Sequence, residues 1–260
     1  MTSEQSSKIV FAIISNEYDA FNCKLEQKWR ERMIHYKGLF NNISYYFLKC
    51  KPFRSEENQD AMSNGYYIQD DNFYVDGQES IVGGIGKKTM KFFEVMHSSY
   101  DFIVRPNISS VLLVDRLLTF LQKSPKTLLY SGNPEPYGHA QPKWAFGACY
   151  IVSNDVAKMI ADNKDHIVTF ADQTGSIEQV YDDVWVGFTV LQHLKIKLTP
   201  FKCIQILHPH DILQSLNNIV HDPLLFHIRI KMIGQRDPIE VELQQYLNHY
   251  IMKQCTTNSA

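Results

Sequence analysis

The chain has 260 residues and a mass of 30.2 kDa, with 44% hydrophobic and 21% charged residues. That balance is globular and excludes a disordered chain, which carries too little apolar surface to offset its conformational entropy. A formal net charge of -2 and a pI near 6.5 offer no general positive field to nucleic acid or an anionic membrane, so any phosphate must be met locally. The cysteines (Cys23, Cys50, Cys149, Cys203 and Cys255) are odd in number, scattered and without a CxxC pair. This argues against a disulfide framework or a zinc site and fits a reducing compartment.

The polar start, Met1 to Lys8, runs directly into Ile9 to Ile14, a β-branched run that reads as a buried parallel strand and is too short for a membrane span. No anchor or export signal is expected from it. Asn22 to Tyr36 reads as a helix and Ile43 to Leu48 as a second strand, which makes a βαβ opening. The polar stretch Arg54 to Asn72 is expected to be a surface loop. Further on, Gly86 to His97 and Val111 to Gln122 read as helices around a short strand at Phe102 to Val104. Thr127 to Ser131 is strand-like, Gly132 to Pro142 a loop, Cys149 to Val152 a strand, and Asp155 to Ala161 and Trp185 to Leu194 helices, with Ile196 to Leu198 a last short strand. There is no internal repeat. Strands alternating with helices predict an α/β fold with ligands at the strand ends.

One motif misleads. Gly83-Gly84-Ile85-Gly86-Lys87-Lys88-Thr89 looks like a phosphate loop, but the glycine required five positions before Gly86 is Ile81, and Lys88 stands where Ser or Thr should follow Lys87. A helix start is the simpler account.

The informative feature is a series of segments in fixed order: Glu79-Ser80, Lys88-Thr89, Tyr100 through Ser110, Trp144 through Ser153, and Asp182-Asp183-Val184-Trp185-Val186-Gly187. Over roughly Ile9 to Leu198 this series resembles the β-1,3-galactosyltransferase and Fringe-like families of inverting GT-A glycosyltransferases. The resemblance implies a single GT-A domain over 1-260. A single mixed, mainly parallel sheet flanked by helices would form its core over 9-198, and an extension over 199-260 would close the donor site. It also implies transfer of a hexose from a nucleotide diphosphate donor, a UDP-sugar by expectation, to a glycan hydroxyl.

In those families the strand after the matching arginine ends in Asp-x-Asp, which holds a divalent cation on the donor diphosphate. Aligned on Arg105, this chain has Asn107, Ile108 and Ser109 there. Hard cations favour carboxylate oxygens, so the departure suggests transfer without a metal; manganese or magnesium on weak neutral ligands is the alternative. His208 and His210 are the only late candidates for metal ligation that the resemblance offers. Positive charge for the leaving diphosphate is sought instead in Arg229 and Lys231, which strand alternation places on one face with His227, and in Arg236.

The resemblance carries further roles residue by residue. Asp183, with Asp182 beside it at a helix start, matches the base that takes the acceptor proton. Ile14, Ser15, Asn16 and Glu17 at the first strand end, with Lys88, Arg105, Asn107, Ser109, Gly147 and Ala148, would form the donor pocket, the last two by letting backbone approach the sugar. Trp144 and Glu79 would face sugar or acceptor. Each has a plainer reading: a turn at Asn107 and Ser109, a helix cap at either aspartate, a solvated helix position at Lys88, core packing at Trp144, or a solvated strand face at Arg229 and Lys231. Animal relatives carry an N-terminal anchor. Without one, the expected location is the cytoplasm of a microbe, or the host cytoplasm for a viral enzyme. A catalytically inactive GT-A-like protein that binds a glycan or nucleotide is the alternative class, and the retained Asp182 and Asp183 speak for the enzyme.

Overall fold

A computed structural model describes residues 7–53, 59–81, 83–134, 144–164, 181–231 and 239–257. The first strand, β1 (Ile9–Ile14), is buried on both sides, which is why it reads as an unbroken apolar run. It pairs in parallel with β2 (Ile43–Lys51) on one side and β5 (Phe102–Pro106) on the other. Helix α1 (Ala20–Leu39) crosses between β1 and β2; Asp19 caps it by accepting from the Phe21 N–H, and Leu25, Trp29, Met33 and Tyr36 recur at helical spacing to form its buried stripe.

Outward from β2 lie β4 (Asn72–Asp76), parallel to it, and β3 (Tyr66–Gln69), antiparallel at the edge. This corrects the expected loop over Arg54 to Asn72, which holds a short helix α2 (Gln59–Asn64) and then the β3–β4 hairpin. The hairpin forms because Tyr66 stacks on Phe73 and Tyr67 on Tyr74 across the strands, at ring centroid distances of 5.2 and 4.8 Å. On the other side of β5 come β8 (Ala145–Ser153), antiparallel, then β7 (Tyr130–Pro134) and β9 (Leu198–Pro200). The large mixed sheet therefore runs β3-β4-β2-β1-β5-β8-β7-β9.

Alternate residues of the central strands feed two cores. Ile9, Phe11 and Ile13 face α1, α4 (Val114–Gln122) and α8 (Ile239–Thr257). Val10, Ala12 and Ile14 face α3 (Gly83–Met96), α5 (Asn154–Asp162) and α6 (Asp182–Phe188). Helices thus cover both faces, the α/β arrangement expected, and α6 continues through Thr189–His193 as a wider turn.

The sequence reading allowed one sheet, and there is a second, of order β10-β11-β6. Here β6 (Ser110–Leu112) occupies the start of the helix expected from Val111, while β10 (Cys203–Ile206) and β11 (His227–Ile230) come from the C-terminal quarter. Helix α7 (Asp211–His221) lies between those two strands in the chain. Residues of the extension are therefore hydrogen-bonded to the turn that follows β5: Ile230 N–H donates to Ser109 O at 2.9 Å.

Candidate active site

The carboxyl ends of β1 and β5 meet where Ile108 N–H donates to Ile14 O at 3.1 Å and Ile14 bridges to Asn107. This is the edge at which open α/β sheets bind ligands. Arg105, two residues before Asn107, is 1% exposed and is the hub of the edge. Its Nη1 donates to Asn107 Oδ1 at 2.9 Å and to Gly147 O at 2.5 Å, and its Nη2 contacts both Asp182 oxygens at 2.8 and 2.7 Å.

Asp182 is therefore committed to the scaffold. It is 4% exposed, and Tyr150 Oη and Thr89 Oγ1 also donate to it, at 3.2 and 3.4 Å. Burial, with the Asp182 charge as second cause, holds the Tyr150 phenol protonated well above its usual range, so it remains a donor. The pair of aspartates considered together in the sequence thus divides: Asp182 is buried as an ion-pair partner, while Asp183 is half-buried and its Oδ2 accepts from Gly147 N–H at 2.7 Å.

Gly147 is needed for this contact. A Cβ there would lie 2.6 Å from Asp183 Oδ2 and 2.8 Å from its Cγ, so the space the glycine provides is filled by the aspartate rather than left for a sugar. Ala148 is fully buried, and its carbonyl accepts from Asn107 N–H and Ser110 Oγ, which makes it a core position. Gly147→Ala is expected to displace Asp183 and lower turnover by about 10²-fold, the scale of a misplacement of about 1 Å. Donor affinity should change little, which titration calorimetry beside a steady-state assay would check.

Other predicted residues also separate into scaffold and open edge. Lys88 is 1% exposed; its Nζ donates to Ser15 O at 2.6 Å and pairs with Glu79, whose other oxygen accepts from Cys50 N–H at 2.7 Å. Lys88 is thus buried rather than solvated, and burial pushes its pKa down against the pull of Glu79. Each Glu79 oxygen thus has one protein partner, which fixes the side chain beside Lys88. The Ser15 hydroxyl points to Glu26, itself paired with Lys49 at 3.0 Å and Arg30 at 3.2 Å. Facing outward are half-buried Asn16 and exposed Glu17, held by Tyr74 Oη at 2.9 Å.

Trp144 leans on α6: a Cβ on Gly187 would fall 2.2 Å from the Trp144 Cβ, and the indole N–H is buried without an acceptor. Packing on Gly187 fixes the root of the side chain, and the residue as a whole is half-buried. The second sheet presents its predicted cationic face in graded depth, since the strand enters the core at one end. His227 is fully buried against Ser110 Oγ at 3.1 Å, Arg229 is half-buried with its guanidinium 4.5 Å from the Phe146 ring, and Lys231 is exposed past the strand end. Burial, and then Arg229, lowers the His227 pKa to about 3, so it is neutral and adds no charge. Arg236 lies outside the described residues.

A divalent cation at the end of β5 would call for anionic oxygen ligands. Asn107 and Ser109 are neutral, and among the described residues no three His, Cys, Asp or Glu side chains converge to hold a metal ion. His208 and His210 stack on one another at 5.2 Å beside the start of α7, where His208 N–H donates to Asp211. Neutral oxygens at Asn107 and Ser109 and a stacked histidine pair are a donor set that does not fit a divalent ion. Residues not singled out in the sequence complete the site: Thr89 and Tyr150 on Asp182, Glu26 on Ser15, Phe146 under Arg229, and Ser110 beneath Ala148. All but Glu26 stand inside or beside the quoted segments, which is the signal that pointed to the neighbourhood without giving the roles.

No family model matches the chain, and no curated protein matches it by sequence. By structure it is similar to the crystal structure of a glycosyltransferase involved in the glycosylation of the major capsid of PBCV-1, with a TM-score of 0.50 and 11% identity. The match covers 92% of this chain and 99% of that one. At this identity the likeness speaks for the fold, a GT-A-like α/β architecture. Among the described residues no helix is long and apolar enough to cross a membrane.

Proposed function

We propose that the protein is an inverting glycosyltransferase that moves a hexose from a nucleotide diphosphate, a UDP-sugar, to a hydroxyl of a glycan. The observation that carries this is the Asp183 carboxylate, fixed by the Gly147 N–H at the C-terminal edge of the sheet beside Arg105 and Asn107. The solved glycosyltransferase of similar fold supports the same class.

In this reading Asp183 takes the proton from the acceptor hydroxyl as its oxygen attacks the anomeric carbon. The bond to the diphosphate oxygen breaks on the opposite side, so configuration inverts. Developing charge on the nucleoside diphosphate is met by fixed donors and cations: Asn107 at the strand end, Arg229 held over Phe146, and Lys231. Asn16 and Glu17 lie where a nucleoside would enter.

The test is a panel of nucleotide sugars screened by thermal shift and by donor hydrolysis, in chelator and in manganese. A ligand at about 100 times its Kd should raise the melting temperature by roughly 5–10 °C for a chain of this size. The expected result is one nucleotide sugar bound equally in both conditions, with binding lost in Arg229→Ala/Lys231→Ala. Strict dependence on manganese sinks the cationic part. A silent panel, with no hydrolysis, sinks the enzyme and favours an inactive binding protein.

A further inference from the structure

Two hydrogen-bond donors converge on one backbone carbonyl beneath the Asn107–Ser109 turn. From α1, Trp29 Nε1 donates to Ile108 O at 2.9 Å; from α8, Gln244 Nε2 reaches the same oxygen at 3.4 Å. Arg32 organises both. Its guanidinium lies 4.7 Å from the Trp29 ring, and its Nη1 and Nη2 donate to Gln244 Oε1 at 3.2 and 3.1 Å. Because Gln244 Oε1 is held by Arg32, its amide nitrogen faces Ile108. A further bond from Arg32 Nη1 to Asn248 Oδ1, at 2.7 Å, ties the guanidinium to the next turn of α8.

The cluster is sealed: Trp29 and Arg32 are each 1% exposed, and Gln244 and Asn248 are fully buried. Burial lowers the Arg32 pKa to about 9. Removing a guanidinium from water to meet amide carbonyls is a poor way to glue two helices, since an apolar stripe of equal volume does so as well or better. What such a network provides is orientation, here of a carbonyl between the two residues that stand in place of the usual acidic motif.

We infer that Trp29, Arg32 and Gln244 are positioning residues of the donor site, and that α8 sets the Asn107–Ser109 turn from below. The inference rests on reading that turn as the donor site. It is tested with Trp29→Phe, which keeps a ring and loses the N–H, with Gln244→Met, and with the double variant. Two readouts are taken: affinity for UDP by calorimetry, and amide hydrogen exchange at Ile108 and Ser110, whose N–H groups bond to Ile14 O and Asn107 O.

Each single variant retains one donor and is expected to lose about 2- to 3-fold in affinity. The double variant orphans the carbonyl and should lose about tenfold more than the product of the two, with faster exchange at Ile108 and Ser110 and unchanged exchange in α5. Wild-type affinity and exchange in a folded double variant overturn the inference. If the wild type binds no UDP, the donor reading fails, and exchange alone decides whether the clamp holds the turn. Should the double variant not fold, exchange in Trp29→Phe decides it.

Discussion

Asp183→Asn is expected to bind nucleotide sugar as the wild type does, within about twofold, and to lose about 10²- to 10⁴-fold in the rate of transfer, the range a positioned general base supplies. The reason for the separation is geometric. An asparagine can still accept from Gly147 N–H through its side-chain oxygen, so the local structure survives, while the group that would take the acceptor proton is gone. Calorimetry with donor and single-turnover transfer measure the two halves. Full residual turnover would remove Asp183 from the mechanism, and loss of donor binding would make it a binding residue. Asp182→Asn should behave in the opposite way: it weakens a buried ion pair, so the melting temperature falls before any chemical step is reached.

The largest structural effect is expected at Arg105. Arg105→Met removes the positive partner of Asp182 and leaves that carboxylate buried on Tyr150 and Thr89 alone. The cost is about 3–5 kcal/mol, which corresponds to a fall in melting temperature of roughly 6–20 °C in a protein of this length. Arg105→Met/Asp182→Leu removes both charges and should recover much of that stability without recovering function, because the tethers to Asn107 Oδ1 and Gly147 O are still missing. Chemical denaturation and donor titration on the same samples test this. A single variant as stable as the wild type would show that Arg105 does not hold the edge together.

How far the sequence could be read follows from what each feature depends on. The strands at Ile9, Phe102 and Cys149 were legible because a stretch buried on both faces reads as an unbroken apolar run, and the one at Ile43 because its aromatic and aliphatic residues favour strand even where Ser44, Tyr45 and Tyr46 are half-buried. The hairpin over Tyr66–Asp76 was not, because its turn, Asp70-Asp71, and its flanks are polar and only Phe73, Tyr74 and Val75 are deeply buried. The second sheet was hidden for another reason. Its strands are three or four residues long, and His227–Arg229 pairs with Ser110–Leu112 from far along the chain, which no local pattern encodes.

At the candidate site, residue types and their order named side chains that the fold brings together around Arg105, Asn107, Gly147, Asp182 and Asp183. Depth was not legible. Lys88 and Asp182 look like surface charges until Glu79 and Arg105, 9 and 77 positions away, are brought against them. Charges that are satisfied inside and charges that face a ligand have the same letters.

The position of β11 also bears on when the site comes into existence during synthesis. Ser109 O is bonded to Ile230 N–H, and the strand carrying Arg229 is the middle member of the small sheet. A nascent chain can close β1, β2 and β5 early, but the turn at Asn107 stays without its partner until more than 120 further residues have left the ribosome. Because long-range pairings form late and slowly, the central strands should pair before the Asn107–Ser109 turn gains its bond from β11, while the sheet face that packs on α8 is completed only after it. The turn would thus be set only after β11 has been made and has paired with β6.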